Sequence, residues 1–175
     1  MTTPGAPRVS TSSSFPPVAE VLPHAGRMVL LSRVLAHTET DTTCIAEIGR
    51  DTMFADADGG VPAWAALEYM AQCIAAHGGL RARAAGDPVV PGVLLGTRSL
   101  VTHVPRFAAG QRLRITATHV WGEHDFFSFA CTVRDEATGT MLVEGTLTVA
   151  RMSGGDTAVV PSVSGAAPDR PPRPT

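Results

Sequence analysis

Apolar residues recur at helical spacing in the middle of the chain. The stripe consists of Leu67, Met70, Ala71 and Ile74. It predicts a long helix over residues 62–84, because Pro62 suits the first turn of a helix. Glu68 lies on a neighbouring face, four residues before Gln72. Because an isolated buried charge is costly, a buried Glu68 must be paired, neutralised or functional. The alternative is that Glu68 points to water at the edge of the stripe.

Runs of β-branched and leucine residues on both sides of this helix predict strands. They cover residues 28–35, 42–48, 93–104, 112–120, 126–133 and 141–150. Short turns rich in Gly and Asp separate the last of them, which favours antiparallel pairing. A single long helix can bury its stripe only by packing on that sheet. The pattern therefore predicts an α+β fold.

Composition limits the domain and the classes of function. Residues 1–14 and 153–175 are rich in Thr, Ser, Pro and Gly and predict two disordered tails around one domain, residues 15–152. The net charge of −2 gives no indication of a basic surface for binding nucleic acid. No apolar run is long enough for a membrane span or a secretory signal. The three cysteines show no CxxC spacing, so we expect a cytoplasmic protein without disulfides or zinc.

Two motifs resemble those of a known enzyme family. Residues 22–34 read Leu-Pro-His-Ala-Gly-Arg-Met-Val-Leu-Leu-Ser-Arg-Val, and Pro62 is followed by Leu-Glu-Tyr-Met-Ala-Gln at residues 67–72. They resemble LPHRxPxLLVDRV and PGVxxxEAMAQ of the β-hydroxyacyl-ACP dehydratases, and residues 107–113 resemble a later turn and strand of the same enzymes. The resemblance covers roughly residues 16–151, and the helix is most similar to WxxLEYMAQxIAAH of the aryl-polyene pathway dehydratases.

This resemblance implies a fold and a reaction. The fold would be the hotdog fold, a curved antiparallel sheet wrapped around one helix. The reaction would be the removal of water from a 3-hydroxyacyl thioester on acyl carrier protein, giving a trans-2-enoyl thioester. The phosphopantetheine arm of the carrier would hold the substrate, and no metal or other cofactor is expected. The resemblance also implies a homodimer, with a heterodimer with another hotdog protein as the weaker expectation.

The histidine that serves as catalytic base in the fatty-acid dehydratases lies in a GHFPG segment before the helix. Residues 51–61 of this chain contain no histidine. His77 lies nine residues after Glu68, about 13 Å along the helix axis and half a turn round, so it cannot meet Glu68 of its own chain. His24 lies inside the first motif and is the best candidate, the alternative being a structural histidine that caps the strand.

The remaining histidines carry weaker signals. His119 and His124 flank a predicted turn that also contains Glu123 and Asp125, but their spacing matches no known metal-ligand pattern. His37 lies at a strand end, and a surface position is expected for His103.

The chemistry of dehydration explains the expected site residues. A neutral imidazole can remove the α-proton near physiological pH, and a carboxylic acid in an apolar environment can protonate the departing hydroxyl. His24 and Glu68 are therefore the predicted catalytic residues. Amide groups at the helix N-terminus, near Ala63, Trp64 and Ala65, would stabilise the charge on the thioester oxygen. The predicted substrate-binding residues are Trp64, Ala65, Gln72, Leu95 and Gly96.

Three classes of function remain open. The first is a dehydratase, which the Leu-Pro-His motif at residues 22–24 favours. The second is a hotdog thioesterase, in which a carboxylate activates water. The third is a non-catalytic hotdog subunit that supports an active partner, an alternative that the missing histidine of residues 51–61 keeps open.

Overall fold

The central element of the structure is one helix, α1, which runs over Ala66–Ala85 and continues a 3-10 turn at Ala63–Ala65. A computed structural model describes residues 15–152. The two predicted tails lie outside the described residues. The helix ends at Gly86, whose φ of 77° only glycine adopts without strain and whose N–H bonds to the carbonyl oxygens of Ala82 and Arg83. No helix of residues 15–152 is long and apolar enough to cross a membrane.

Besides this helix, residues 15–152 form eight strands. They are β1 (Arg33–His37), β2 (Asp41–Glu47), β3 (Val61–Pro62), β4 (Gly92–Thr102), β5 (Arg106–Phe107), β6 (Arg112–Glu123), β7 (Phe126–Asp135) and β8 (Met141–Arg151). Six of them form one antiparallel sheet in the order β1-β2-β6-β7-β8-β4. The pair β3-β5 forms a second, two-stranded sheet at the start of the helix. The predicted α+β arrangement of one helix on an antiparallel sheet is confirmed.

The core lies between α1 and the inner face of β2, β6 and β7. The helix contributes Tyr69, Met70 and Cys73, which are fully buried. The strands contribute alternate residues, as expected for a sheet with one buried face. These include Cys44, Leu113, Ile115, Ala117, Cys131 and Val133. All three cysteines are buried and free.

The first strand begins later than predicted. Residues 28–35 were expected to form it, whereas Gly26–Met28 is a 3-10 turn and β1 begins at Arg33. The intervening segment cannot join the ladder fully, because the N–H of Leu30 donates to the side chain of Gln72 on the helix. The short β3 and β5 strands were not predicted, and β4 ends at Thr102 rather than at residue 104.

A buried polar cluster joins the second half of α1 to the sheet. The Thr42 hydroxyl is fully buried and lies 2.9 Å from Nδ1 of His77 and 2.8 Å from Nδ1 of His37. Because one hydroxyl can donate only one hydrogen bond, it donates to one imidazole and accepts from the other. Burial, followed by nearby His37 and Arg81, lowers the pKa of His77 to about 4.

This cluster predicts a loss of stability in mild acid. Between pH 6.5 and 4 the unfolded chain binds a proton at His77 that the native chain does not bind, so stability falls as the pH falls. One such group lowers the free energy of unfolding by about 2 kcal/mol between pH 7 and pH 5. Urea unfolding should show that His77→Asn, which keeps a polar atom near Thr42, reduces this loss.

The control for this measurement is His124→Asn, since His124 has an 83% exposed side chain. This variant should keep the pH dependence of the wild-type chain. An equal dependence in His77→Asn would mean that His77 is not the titrating group.

Candidate active site

The structure brings together the two residues that were predicted to be catalytic. His24 lies in the loop between the 3-10 turns Val18–Glu20 and Gly26–Met28, and Glu68 is the third residue of α1. His24 Nε2 and Glu68 Oε1 of the same chain are 3.6 Å apart, and the side chains are 27% and 30% exposed. The two groups are thus close enough to exchange a proton after a small adjustment, while both remain within reach of a substrate.

Gln72 forms hydrogen bonds both with Glu68 and with the segment that follows His24. Its amide Nε2 donates to Glu68 Oε1 at 3.0 Å and to the carbonyl oxygen of Met28 at 2.6 Å. Its Oε1 accepts from the N–H of Leu30 at 2.9 Å. Gln72 is fully buried, so its amide is committed to these partners and cannot contact a substrate in this arrangement. In this arrangement its hydrogen bonds hold Glu68 and the segment that follows His24, and its role in substrate binding stays a prediction.

The environment of His24 distinguishes its two ring nitrogens. Nδ1 is buried and has no hydrogen-bond partner within residues 15–152. Nε2 faces Glu68 and is therefore the nitrogen that can exchange a proton with the carboxyl group. Oε1 of Glu68 meets both His24 and Gln72, and Oε2 receives no hydrogen bond from the part of the chain that the structure describes.

The start of the helix supplies the other predicted groups. Of the three residues named for this terminus, Ala63 donates its N–H to the carbonyl oxygen of Pro105 at 3.0 Å and is not a free donor in this arrangement. No side chain caps the turn or the helix, so the amides of Trp64 and Ala65 remain the candidate donors at this terminus. The Trp64 side chain is 60% exposed and Ala65 is buried.

The loop before the helix contains a feature that sequence reasoning missed. Phe54 has a φ of 73°, an unusual conformation for a bulky residue, and its ring contacts that of Trp64 edge to face at 5.6 Å. Asp56 fixes this loop through the N–H groups of Asp58 and Gly60 and through a salt bridge of 2.6 Å with Arg106. In the sequence, residues 51–61 stand out only because they contain no histidine. Nothing in that segment indicates that Phe54 would contact Trp64.

Leu95 and Gly96 do not join the dyad within one chain. Both lie on β4, one of the two edge strands of the six-stranded sheet, and Leu95 is 54% exposed. A groove of about 730 Å³ lies between residues 15–18 and β1, but neither His24 nor Glu68 lines it. The roles of Leu95 and Gly96 in substrate binding stay predictions that require a second molecule to cover β4.

The other histidines have structural surroundings. His103 forms a surface pair with Glu144 at 3.1 Å, and the ring of His119 contacts that of Phe129 at 5.3 Å. His77 contacts Thr42 at the other end of the buried face. Among residues 15–152 no group of three or more His, Cys, Asp or Glu side chains is arranged to hold a metal ion.

The comparisons with known proteins agree with this fold. A chain of the dehydratase heterocomplex ApeI:P from Xenorhabdus doucetiae matches with a TM-score of 0.76 and 31% identity, covering 81% of this chain and 94% of that one. Two more distant matches show the fold alone. They are the TT0310 protein from Thermus thermophilus (TM-score 0.52, 20% identity, 69% and 91% covered) and thioesterase superfamily member 2 from zebrafish (TM-score 0.54, 14% identity, 78% and 91% covered).

A comparison with curated proteins found no match. The fold is a hotdog fold, and within it the chain is similar to dehydratases. More narrowly, the model of the ApeP-like dehydratases matches residues 16–160, so the chain belongs to the ApeP-like dehydratase family.

The hydrogen bonds of Gln72 predict a linked loss of stability and activity. Gln72→Met keeps the side-chain volume but leaves the buried N–H of Leu30 and the carbonyl oxygen of Met28 without partners. The free energy of unfolding should fall by about 2–4 kcal/mol. Turnover by the variant that remains folded should fall at least about tenfold, because Glu68 and the His24 loop lose their support.

Gln111→Met is the matched control. Gln111 also makes hydrogen bonds through its amide, to Asp135 at 2.7 Å and with the N–H of Ala108 at 2.9 Å, but it makes none with the dyad. Urea unfolding and turnover measured on both variants should show lowered stability in both and lowered turnover only in Gln72→Met. Wild-type turnover in folded Gln72→Met would refute the positioning role.

Proposed function

We propose that this chain removes water from 3-hydroxyacyl thioesters carried on acyl carrier protein, giving trans-2-enoyl thioesters for polyene-type biosynthesis. The observation that carries the proposal is the 3.6 Å contact between His24 Nε2 and Glu68 Oε1. It supplies a base and an acid at one place, and the buried amide of Gln72 fixes the acid. Membership in a dehydratase family supports the type of reaction.

The proposed mechanism uses the two residues in opposite senses. His24 Nε2 takes the proton from the α-carbon, and the electron pair of that C–H bond forms the α–β double bond. The C–O bond at the β-carbon breaks, and protonated Glu68 gives its proton to the departing hydroxyl, which leaves as water. The amides of Trp64 and Ala65 would stabilise the charge that develops on the thioester oxygen. The cycle closes when the proton on His24 returns to Glu68, directly or through solvent.

The proposed reaction requires no metal and no organic cofactor beyond the carrier's own arm. Both proton transfers are made by side chains, and the negative charge is stabilised by backbone groups. An acyl carrier protein is therefore the proposed substrate-bearing partner, and its phosphopantetheine arm would bring the thioester to the start of α1.

We propose that a second hotdog chain covers β4. This strand is eleven residues long, has a sheet neighbour on one side only, and exposes Val93, Leu95 and Val101 by 45–54%. A long apolar edge of this kind is a template for pairing with another chain. The similar protein from Xenorhabdus doucetiae comes from a heterocomplex, which supports a different hotdog protein as partner beside the second copy expected from the sequence.

A non-catalytic role is the alternative that one observation favours. Residues 51–61 lack the histidine that the fatty-acid dehydratases carry there. In that case the partner would hold the complete site, and neither His24 nor Glu68 would be needed for turnover.

Substitution of the dyad decides between these roles. His24→Ala and Glu68→Gln should each lower turnover of a 3-hydroxyacyl carrier-protein substrate by about 10²- to 10⁴-fold. The double variant should be far less than multiplicatively worse, because the two groups act in one transition state. The measurement is enoyl product and free acid by mass spectrometry, with the assembled complex as enzyme. Full activity in His24→Ala would contradict the dyad, and release of free acid would indicate a thioesterase.

Mixing the two inactive variants tests where the dyad forms. In the fatty-acid dehydratases that this chain resembles, the pair forms across the dimer. Here His24 and Glu68 lie 3.6 Å apart in one chain. The mixture should therefore stay inactive, whereas recovered activity would mean that the working pair joins two chains.

A further inference from the structure

The β4 edge combines an apolar surface with one charge near its centre. The strand reads Gly-Val-Leu-Leu-Gly-Thr-Arg-Ser-Leu-Val-Thr over Gly92–Thr102, and Arg98 is its only charged residue. Arg98 is exposed and forms no salt bridge with any other residue in the range 15–152. The pairing of β4 with β8 is irregular between Thr97 and Ser99, so Arg98 sits at a bulge. Charges and bulges are devices that limit indiscriminate pairing at sheet edges.

The position of Arg98 works against pairing between two copies. Two identical antiparallel strands are related by a twofold axis through their common midpoint. If all eleven residues overlap, this midpoint is Thr97, directly beside Arg98. The two Arg98 residues are then diagonal neighbours, whose Cα atoms lie roughly 7–8 Å apart. This separation is within the screening length of about 8 Å at physiological ionic strength, so the two charges repel.

A shift in the register of the two strands does not remove the repulsion between the Arg98 side chains without a loss of buried apolar surface. A shift of the midpoint toward Arg98 brings the two guanidinium groups directly opposite each other. A shift away from Arg98 separates them but shortens the overlap and leaves more of the apolar edge, including Val101, in water. A different chain with a carboxylate near the middle of its edge strand meets neither problem.

We propose that Arg98 selects the partner at β4, favouring a different hotdog chain that carries a carboxylate opposite it over a second copy of this chain. This inference rests on the proposed pairing at β4. Arg98 acts in assembly and takes no part in the proton transfers.

A charge-reversed copy of the chain serves as the probe. Sedimentation velocity with one fluorescently labelled copy gives the dissociation constants of wild type with itself, Arg98→Glu with itself, Arg98→Ala with itself, and wild type mixed with Arg98→Glu. The mixed pair should bind roughly 3- to 10-fold more tightly than either parent alone, with Arg98→Ala between them. Added salt should weaken the mixed pair and strengthen the wild-type pair.

Two control variants distinguish selection by Arg98 from the underlying pairing at β4. Arg114→Ala removes another exposed arginine, on β6, and should leave every dissociation constant unchanged. Leu95→Arg adds a second cation to the β4 edge and should weaken the pairing of the otherwise wild-type chain with itself if β4 is the surface used. Equal constants for the wild-type and mixed pairs would refute selection by Arg98 while leaving the β4 interface intact. No association of any pair at a chain concentration of about 10⁻⁴ M would refute pairing of β4 between copies and would refute selection by Arg98, because removal or reversal of its charge would then not permit pairing.

Discussion

The candidate site depends on one buried amide. Gln72 is fully buried on α1, and its side chain makes three hydrogen bonds that join the helix, the segment after His24 and the carboxyl group of Glu68. Each bond contributes about 1 kcal/mol net, but leaving its partners unpaired would cost more than the bonds contribute. The amide is therefore a constraint as much as a source of stability. The loop cannot leave the helix without breaking the hydrogen bonds of two backbone groups, and Glu68 cannot rotate without losing its donor.

The same constraint explains what the sequence could and could not predict. The helical period of Leu67, Met70 and Ile74 identified α1, because a long amphipathic stripe has few alternative structures. The β-branched run at residues 28–35 predicted a strand that begins several residues too early. Its first half is apolar, as a strand would be, but Leu30 bonds to a side chain from the helix rather than to a neighbouring strand. Such a long-range contact between a backbone group and a glutamine leaves no periodic signal.

The residue types of the candidate site could be proposed from the sequence, but the distances between them could not. Glu68 stood out because a carboxylate on an apolar helix requires an explanation. His24 was chosen by resemblance and by elimination of the other histidines, and the distance between the two could not be read from the sequence. The burial of Gln72 could not be predicted either, since spacing shows which residues share a helix face but not whether that face is open to a ligand. The positive φ of Phe54 depends on the course of its loop, which Asp56 and Arg106 fix from different parts of the chain.

Two buried polar residues, Gln72 and His77, attach α1 to different parts of the fold. Gln72 faces the loop that carries His24, and His77, five residues later and about 7.5 Å along the axis, faces Thr42 on the sheet. Protonation of the His77 cluster would weaken the attachment of the helix to the sheet without touching the hydrogen bonds of the dyad. The dyad in turn lies at a partly open surface, because His24 and Glu68 each keep more than a quarter of their side chain exposed. Proton transfer from carbon is favoured when water is excluded, and residues 15–152 of one chain do not provide that cover. In the proposed mechanism the rigid support of His24 and Glu68 is therefore built into residues 15–152, whereas the exclusion of water would come from the acyl carrier arm and from the chain proposed to pair with β4.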